Sequence, residues 1–378
     1  MLSNTKLIKT SFVLGFTLLA LAQISFSFTD TIELLKPIDF IHWSILIGIV
    51  LIIPGILRFS NGTLSKIGTP ITMIGIISTI GMCAIDFVLW TFNDNPEARY
   101  EMYLQLVKQP AIWPVFISVG PIFFFVGLSL ISFEHLKTNL RGVIILNIGS
   151  ILTGLGGLIL PQEYHFIMVI GYIIFSFGAV YILIKKENLG LKSNSIYNYL
   201  FVIGLVLEMI GQILLTLGND VVYAFRPIDY AHWSILLGAA FMLPKIMNFP
   251  NKLITYIGLP IAVIGAVSMI GMCILDFIWW NMTEQPERNE LAGHLSQFPS
   301  IWKTFITTGP GFLNIGLLLL SFNYIKRNKI GVALIVLATI IIFFLGFIPY
   351  RLIYVYLISA IGYGLILFQK APNEYKTK

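Results

Sequence analysis

Apolar stretches of about twenty residues follow one another along almost the whole chain, separated by short polar turns. An α-helix rises 1.5 Å per residue, so a run of that length crosses a hydrocarbon core of roughly 30 Å. The pattern predicts twelve transmembrane helices. Six lie near 7–29, 38–57, 67–92, 113–133, 142–160 and 165–184, and six near 197–218, 228–247, 253–280, 302–322, 330–348 and 352–369. The apolar positions are continuous rather than alternating, which is not the pattern of β-barrel strands. Pro and Gly within the runs are compatible with spanning helices, because neighbouring helices satisfy the freed backbone groups.

The polar punctuation repeats. Pro37-Ile38-Asp39-Phe40-Ile41-His42-Trp43-Ser44 returns as Pro227-Ile228-Asp229-Tyr230-Ala231-His232-Trp233-Ser234, and Gly81-Met82-Cys83 through Asp86-Phe87 returns as Gly271-Met272-Cys273 through Asp276-Phe277. These matches divide the chain into two six-helix repeats, 1–190 and 191–378. An even number of spans per half brings both halves in from the same face, so a parallel repeat about a pseudo-twofold along the membrane normal is expected. The first span resembles a secretory signal, since Lys6 and Lys9 precede an apolar run ending in Ala20-Leu21-Ala22. Gln23 in that run matches Gln212 of an internal span, and the segment is therefore read as a helix of the mature protein.

Composition sharpens this into an all-α integral membrane protein whose first partner is the lipid bilayer. The chain is 57% hydrophobic and 11% charged, against about 25% charged in an average soluble domain. The net charge of +6 acquires meaning only when it is divided between the two membrane faces. With the N-terminus inside, 17 of the 24 basic residues share its face, including Lys192, Lys370, Lys376 and Lys378, and Lys36, Arg99, Lys108, Arg226, Arg288, Lys303 and Arg351 fall on the other. That asymmetry predicts a multi-pass protein of the cell membrane with both termini cytoplasmic, and it gives no indication of nucleic acid. Of 18 acidic residues, 14 lie at or near the outer face; Glu134, Glu187 and Glu374 lie inside and Glu208 in mid-membrane. Cys83 and Cys273 occupy matching apolar positions and read as buried thiols, with neither a disulfide framework nor a CxxC site.

Candidate chemistry follows from helical spacing. Asp39 and His42 are three residues apart at the start of the second span, on one side of a helix. Gly75, Ser78, Met82 and Asp86 form one stripe on the third span, repeated as Gly265, Ser268, Met272 and Asp276. Small residues along such a stripe admit a neighbouring backbone and turn the terminal carboxylate toward protein. An Asp/His/Asp cluster is therefore expected just below the outer surface in each half: Asp39, His42 and Asp86, then Asp229, His232 and Asp276. The structural reading of these residues is helix capping and dipole chemistry. The functional reading is proton handling or ligand binding, to which membrane-embedded ionisable groups lend themselves. Asn95-Pro96-Glu97 and Gln285-Pro286-Glu287 look like the starts of short interfacial helices placed to roof the clusters. Trp43/Trp233, Trp90/Trp280 and Trp113/Trp302 fall at outer helix ends, where an aromatic belt is expected. Gly120-Pro121 and Gly309-Pro310 mark kinks.

Glu208 stands apart. It sits mid-span with Gln212 one turn on, and although Gln212 has its match in Gln23, Glu208 falls opposite Leu18 or Leu19. A carboxylate at that depth is costly unless neutral, paired or hydrated, so reversible protonation is expected; the structural alternative is a neutral Glu bonded to Gln212 or to another helix. No metal or haem is expected, because one His per half lacks the spacing of such sites, and no phosphate-binding loop or nucleophile elbow is present.

The plan of two parallel six-helix halves resembles that of major facilitator transporters in helix count, although the short loop Arg58 to Lys66 lacks that superfamily's Gly/Asp/Arg-rich signature. The expectation is a polytopic transporter, proton-coupled and acting on a small solute, with Glu208, Gln212, Gln23 and the two clusters as its binding or proton-handling residues. The alternatives are a membrane-embedded hydrolase or transferase working on a lipid or lipid-linked substrate at the outer Asp/His site, and a non-catalytic sensor or immunity protein. Retention of the same residues in both copies weighs against an enzyme, which needs one asymmetric site.

Overall fold

The computed structural model describes residues 4–26, 38–186, 189, 195–218, 221, 228–250, 252–282 and 284–369. Pro37 and Pro227, Lys36, Lys192, Arg226, Lys370, Lys376, Lys378, Glu187 and Glu374 lie outside the described residues. Every regular element among the described residues is helical. Seven helices are long and apolar enough to cross a membrane, or eight if one bent pair is taken as a single span. The chain thus has the makings of a multi-pass membrane protein.

In chain order the helices are α1 (Asn4–Phe26), α2 (Phe40–Ile56), α3 (Thr63–Thr91), α4 (Pro96–Val107), α5 (Ile122–Ser132), α6 (Leu140–Gly154), α7 (His165–Lys185), α8 (Ser195–Leu215), α9 (Tyr230–Ile246), α10 (Leu253–Asn281), α11 (Gln285–Ser296), α12 (Gly311–Ser321), α13 (Lys329–Phe344) and α14 (Arg351–Phe368). Five of the twelve expected spans fall on shorter or broken helices. Helices α2, α9 and α13 are 17, 17 and 16 residues long, a rise of about 25 Å at 1.5 Å per residue. The expected span 113–133 divides into a π-helical turn, Trp113–Ser118, followed by α5. Its match at 302–322 does the same, and the two arms there meet at 56°. Both breaks fall at the Gly-Pro pairs, because Pro121 and Pro310 cannot donate to the preceding turn. Val119 and Gly120 instead both close on the Pro114 carbonyl at 3.0 Å.

Caps set the starts. Asp39 and Asp229 cap α2 and α9, accepting from the backbone N–H of His42 at 3.0 Å and of His232 at 3.1 Å. Asn139 and Asn328 cap α6 and α13 through the N–H of Gly142 and Gly331. Asn95 caps α4, with Pro96 in the first turn.

The helices group into two compact units, 1–192 with 281–301, and 193–280 with 302–378. In the first, α3 lies against α5 so closely that a Cβ on Gly75 would come within 2.0 Å of the Phe124 backbone nitrogen. Its interior holds Phe16, Phe124, Phe125 and Phe175 in mutual ring contact, the tightest pair being Phe125 and Phe175 at 4.9 Å. Helix α11 belongs to this unit. In the second unit Gly265 plays the part of Gly75, its added Cβ falling 1.9 Å from the Leu313 nitrogen.

Candidate functional site

The capping geometry that starts α2 also builds the first cluster. Asp39 is 6% exposed; its Oδ1 takes the His42 backbone N–H and its Oδ2 lies 2.5 Å from His42 Nδ1. The other ring nitrogen, Nε2, faces Asp86 Oδ2 on α3 at 3.3 Å. Phe26 and Phe87 hold the imidazole between them, with centroids at 5.4 and 6.2 Å. The second unit repeats this with Asp229 Oδ2 at 2.5 Å from His232 Nδ1 and Asp276 Oδ2 at 3.4 Å from Nε2. All six residues expected in the clusters are thus brought together, three by three.

This geometry defines what the cluster does with protons. An ionised carboxylate only accepts, so the hydrogen that serves the short Asp39 contact is on Nδ1, and a second hydrogen on Nε2 would be directed at Asp86. The Nε2–Asp86 contact, at 3.3 Å, is longer than the 2.7–2.9 Å typical of charge-assisted bonds. Among the described residues no set of three His, Cys, Asp or Glu is arranged to hold a metal ion.

A cavity of about 40 Å³ opens beside His42 and Asp86, walled by Phe26, Leu89, Trp90 and Arg99. That is room for two or three waters. A larger recess of about 300 Å³ adjoins it, sharing Leu89 and Arg99 and adding Asn93, Tyr100 and Tyr103. Arg99 comes from α4, the short helix expected over the cluster, and the sequence reading missed its place in the site. The available signal was its position one turn inside an Asn95-capped helix that follows directly on the C-terminal end of α3.

Helix α11 binds to the C-terminal end of α3. His294 lies 3.0 Å from Thr91 Oγ1 and stacks on Phe92 at 4.3 Å and 17°. Thr91 gives its own hydroxyl hydrogen to the Val88 carbonyl, so His294 Nε2–H is the donor. Burial holds the His294 imidazole below its ordinary pKa, with the Thr91 bond opposing. Phe298, just past this helix, meets Trp90 edge-on at 5.8 Å. Trp90 is consequently 7% exposed, and Trp280 is 5% exposed, both rings packed into protein where a lipid-facing belt was expected.

Glu208 has no exposed surface, and neither of its carboxyl oxygens has a hydrogen-bond partner. Gln212 one turn on does not supply one; it and Gln23 are half-buried on α8 and α1. Packing settles which first-half residue Glu208 replaces. A Cβ on Gly238 would meet Glu208 Cγ at 2.9 Å, and one on Gly48 would meet Leu19 Cγ at 2.8 Å, so Leu19 is the counterpart. Cys273 and Tyr356 lie within electrostatic range of Glu208. Both cysteines are free and buried.

In comparison with known proteins, no family model, no curated protein and no solved structure matches the chain, and its function is therefore argued from the chemistry of these residues.

Proposed function

We propose that the chain is a proton-coupled secondary transporter of a small solute, crossing the cell membrane twelve times as two parallel six-helix repeats with both termini cytoplasmic. The observation that carries this reading is Glu208, fully buried in an apolar helix with both carboxyl oxygens unpartnered. An ionised carboxylate there would cost several kcal/mol, so this conformation holds Glu208 neutral. A neutral carboxyl is useful to a carrier when a second conformation hydrates or pairs it, because the proton then moves with the conformational change. Asp39/His42/Asp86 and Asp229/His232/Asp276, at the outer face, would load and unload it. The test is proteoliposomes containing a pH-sensitive dye, challenged with a panel of small solutes under an imposed pH gradient. Solute-dependent lumenal pH change is expected in the wild type, lost in Glu208→Gln and slowed by His42→Ala or His232→Ala. Full proton-linked flux in Glu208→Gln would refute the assignment.

One observation favours a second reading. The water-sized cavity beside His42 and Asp86 is the arrangement a general base needs to activate water against a lipid-linked substrate. A membrane-embedded hydrolase or transferase of this kind requires one cluster to be indispensable and the other dispensable. Equal effects of His42→Ala and His232→Ala count against it.

A further inference from the structure

The two halves differ most where Glu208 lies. Matching Leu19 to Glu208 also matches Phe16 to Leu205, and the same offset matches Phe124 and Phe125 to Leu313 and Asn314. The last helices of the two halves align through glycine contacts. A Cβ on Gly142 would meet Ile182 at 2.6 Å, and one on Gly331 would meet Ile366 at 2.7 Å. Ile182 therefore matches Ile366, which sets Tyr172 against Tyr356 and Phe175 against Ser359. The four packed phenylalanines of the first unit, with Tyr172 on Phe125 at 5.5 Å, are replaced in the second by two leucines, an asparagine and a serine.

What results is a connected polar set in an apolar interior. Glu208, Asn314, Tyr356 and Ser359 are all less than a tenth exposed. At the matched positions of the first unit the rings touch, Phe125 against Phe175 at 4.9 Å, Tyr172 against Phe125 at 5.5 Å and Phe16 against Phe175 at 6.1 Å. That makes Asn314, Ser359 and Tyr356 neighbours beside Leu205, one turn from Glu208, and the Tyr356 phenol interacts electrostatically with Glu208. Ser359 is one turn from Tyr356 on α14, on the same side. Among the described residues the titratable groups in electrostatic range of Glu208 are the Cys273 thiol and the Tyr356 phenol. The set offers one carboxyl and neutral oxygens, with no cation of its own.

We propose that Glu208, Asn314, Tyr356 and Ser359 form a binding site for a small monovalent cation, taken up in exchange for the Glu208 proton. One carboxylate balances one positive charge; a divalent ion would leave a buried charge uncompensated, and an anion would meet no positive group. Hard oxygen donors suit an alkali-metal ion or a small ammonium. The exchange balances: the cation enters, the Glu208 O–H bond breaks and one proton leaves to solvent. The inference rests on the proposed role of Glu208 and names the class of ligand that displaces its proton.

The experiment uses the purified full chain in detergent, weakly buffered with a pH indicator, titrated with the chlorides of Li⁺, Na⁺, K⁺, ammonium and methylammonium. Ionic strength is held with N-methyl-D-glucamine chloride. Saturable release approaching one proton per chain is expected for at least one of these, with the metal and ammonium arms identifying the source of the charge. Release should vanish in Glu208→Gln. Ser359→Phe, which installs the residue of the first half, should abolish it. Ser359→Ala, which removes one oxygen and folds more safely, should weaken apparent affinity about tenfold, the effect of losing one hydrogen bond of about 1.4 kcal/mol. No release by any cation between pH 5 and 9, or release that persists in Glu208→Gln, overturns the inference. The two proposals fail separately. Glu208-dependent solute flux without cation-driven release removes the cation site alone, and release without any solute flux removes the transporter reading alone.

Discussion

Replacing Glu208 by leucine should make the protein more stable and, on the proposed function, abolish proton-coupled flux. The carboxyl is buried with neither oxygen hydrogen-bonded, and in proteins an unsatisfied buried polar group costs about 1–3 kcal/mol. Leucine fits the shape, because Leu19 occupies the matching position at 1% exposure, against Gly48 as Glu208 packs against Gly238. Glu208→Leu is therefore expected to gain about 1–3 kcal/mol, equivalent to roughly 2–4 °C per kcal/mol in the unfolding midpoint of a unit of this size. The assay is tryptophan fluorescence during heating in one detergent at one scan rate, since membrane proteins unfold irreversibly and the midpoint is rate-dependent. Glu208→Gln keeps a neutral polar group and should move the midpoint little. The mirror substitution, Leu19→Glu, sets a carboxyl beside Phe16 and should cost about 3 kcal/mol or more. A Glu208→Leu protein destabilised by more than about 1 kcal/mol would refute the reasoning, because Glu208 would then have a stabilising partner.

Three further outcomes are expected. Asp39→Asn retains an oxygen for the His42 backbone N–H but loses the charge facing Nδ1, so it should destabilise less than Asp39→Ala, which forfeits a cap of about 1 kcal/mol as well; thermal midpoints of the two separate capping from the ion pair. Gly75→Ala and Gly265→Ala place a methyl 2.0 and 1.9 Å from backbone nitrogens that cannot rotate away, and each should cost about 3 kcal/mol or more, read as loss of monodisperse protein on size exclusion. Because His294 binds protons less readily docked than free, its docking is favoured above the ordinary pKa of 6.5 and weakens as pH falls below it; hydrogen exchange across 285–296 should rise on acidification, and His294→Gln should flatten that response.

The two Asp/His/Asp clusters were legible in the sequence because helical spacing is a local code. Three residues separate Asp39 from His42, a stripe of small residues leads to Asp86, and antiparallel connection puts the two helix ends at one depth. The breaks at Gly120-Pro121 and Gly309-Pro310 were marked in the same way, by residues that cannot continue a helix. The docking of α11 was not legible. Nothing in Leu291 or His294 says which exposed helix end they cover, because the answer is a tertiary contact with Thr91 and Phe92 some two hundred positions away. Nor was the burial of Trp90, which depends on that same contact.

Reading the chain by its matched motifs also explains why the proposed site around Glu208 stayed hidden. The matched motifs identify what the two halves have in common: caps, the Asp/His/Asp triads and the glycines at which helices touch. Those are features each unit needs to fold and to hold its outer end together. A ligand site requires the opposite, a place where the copies differ, and Asn314 and Ser359 look unremarked in a helix until their partners are known to be Phe125 and Phe175. An aromatic cluster packs by area alone and tolerates no charge, so each phenylalanine lost in the second unit removes burial without a structural return. Polar substitutions that cost stability at neighbouring positions persist only where chemistry maintains them, and in the proposed cation site they would surround Glu208, a buried carboxyl with neither oxygen hydrogen-bonded.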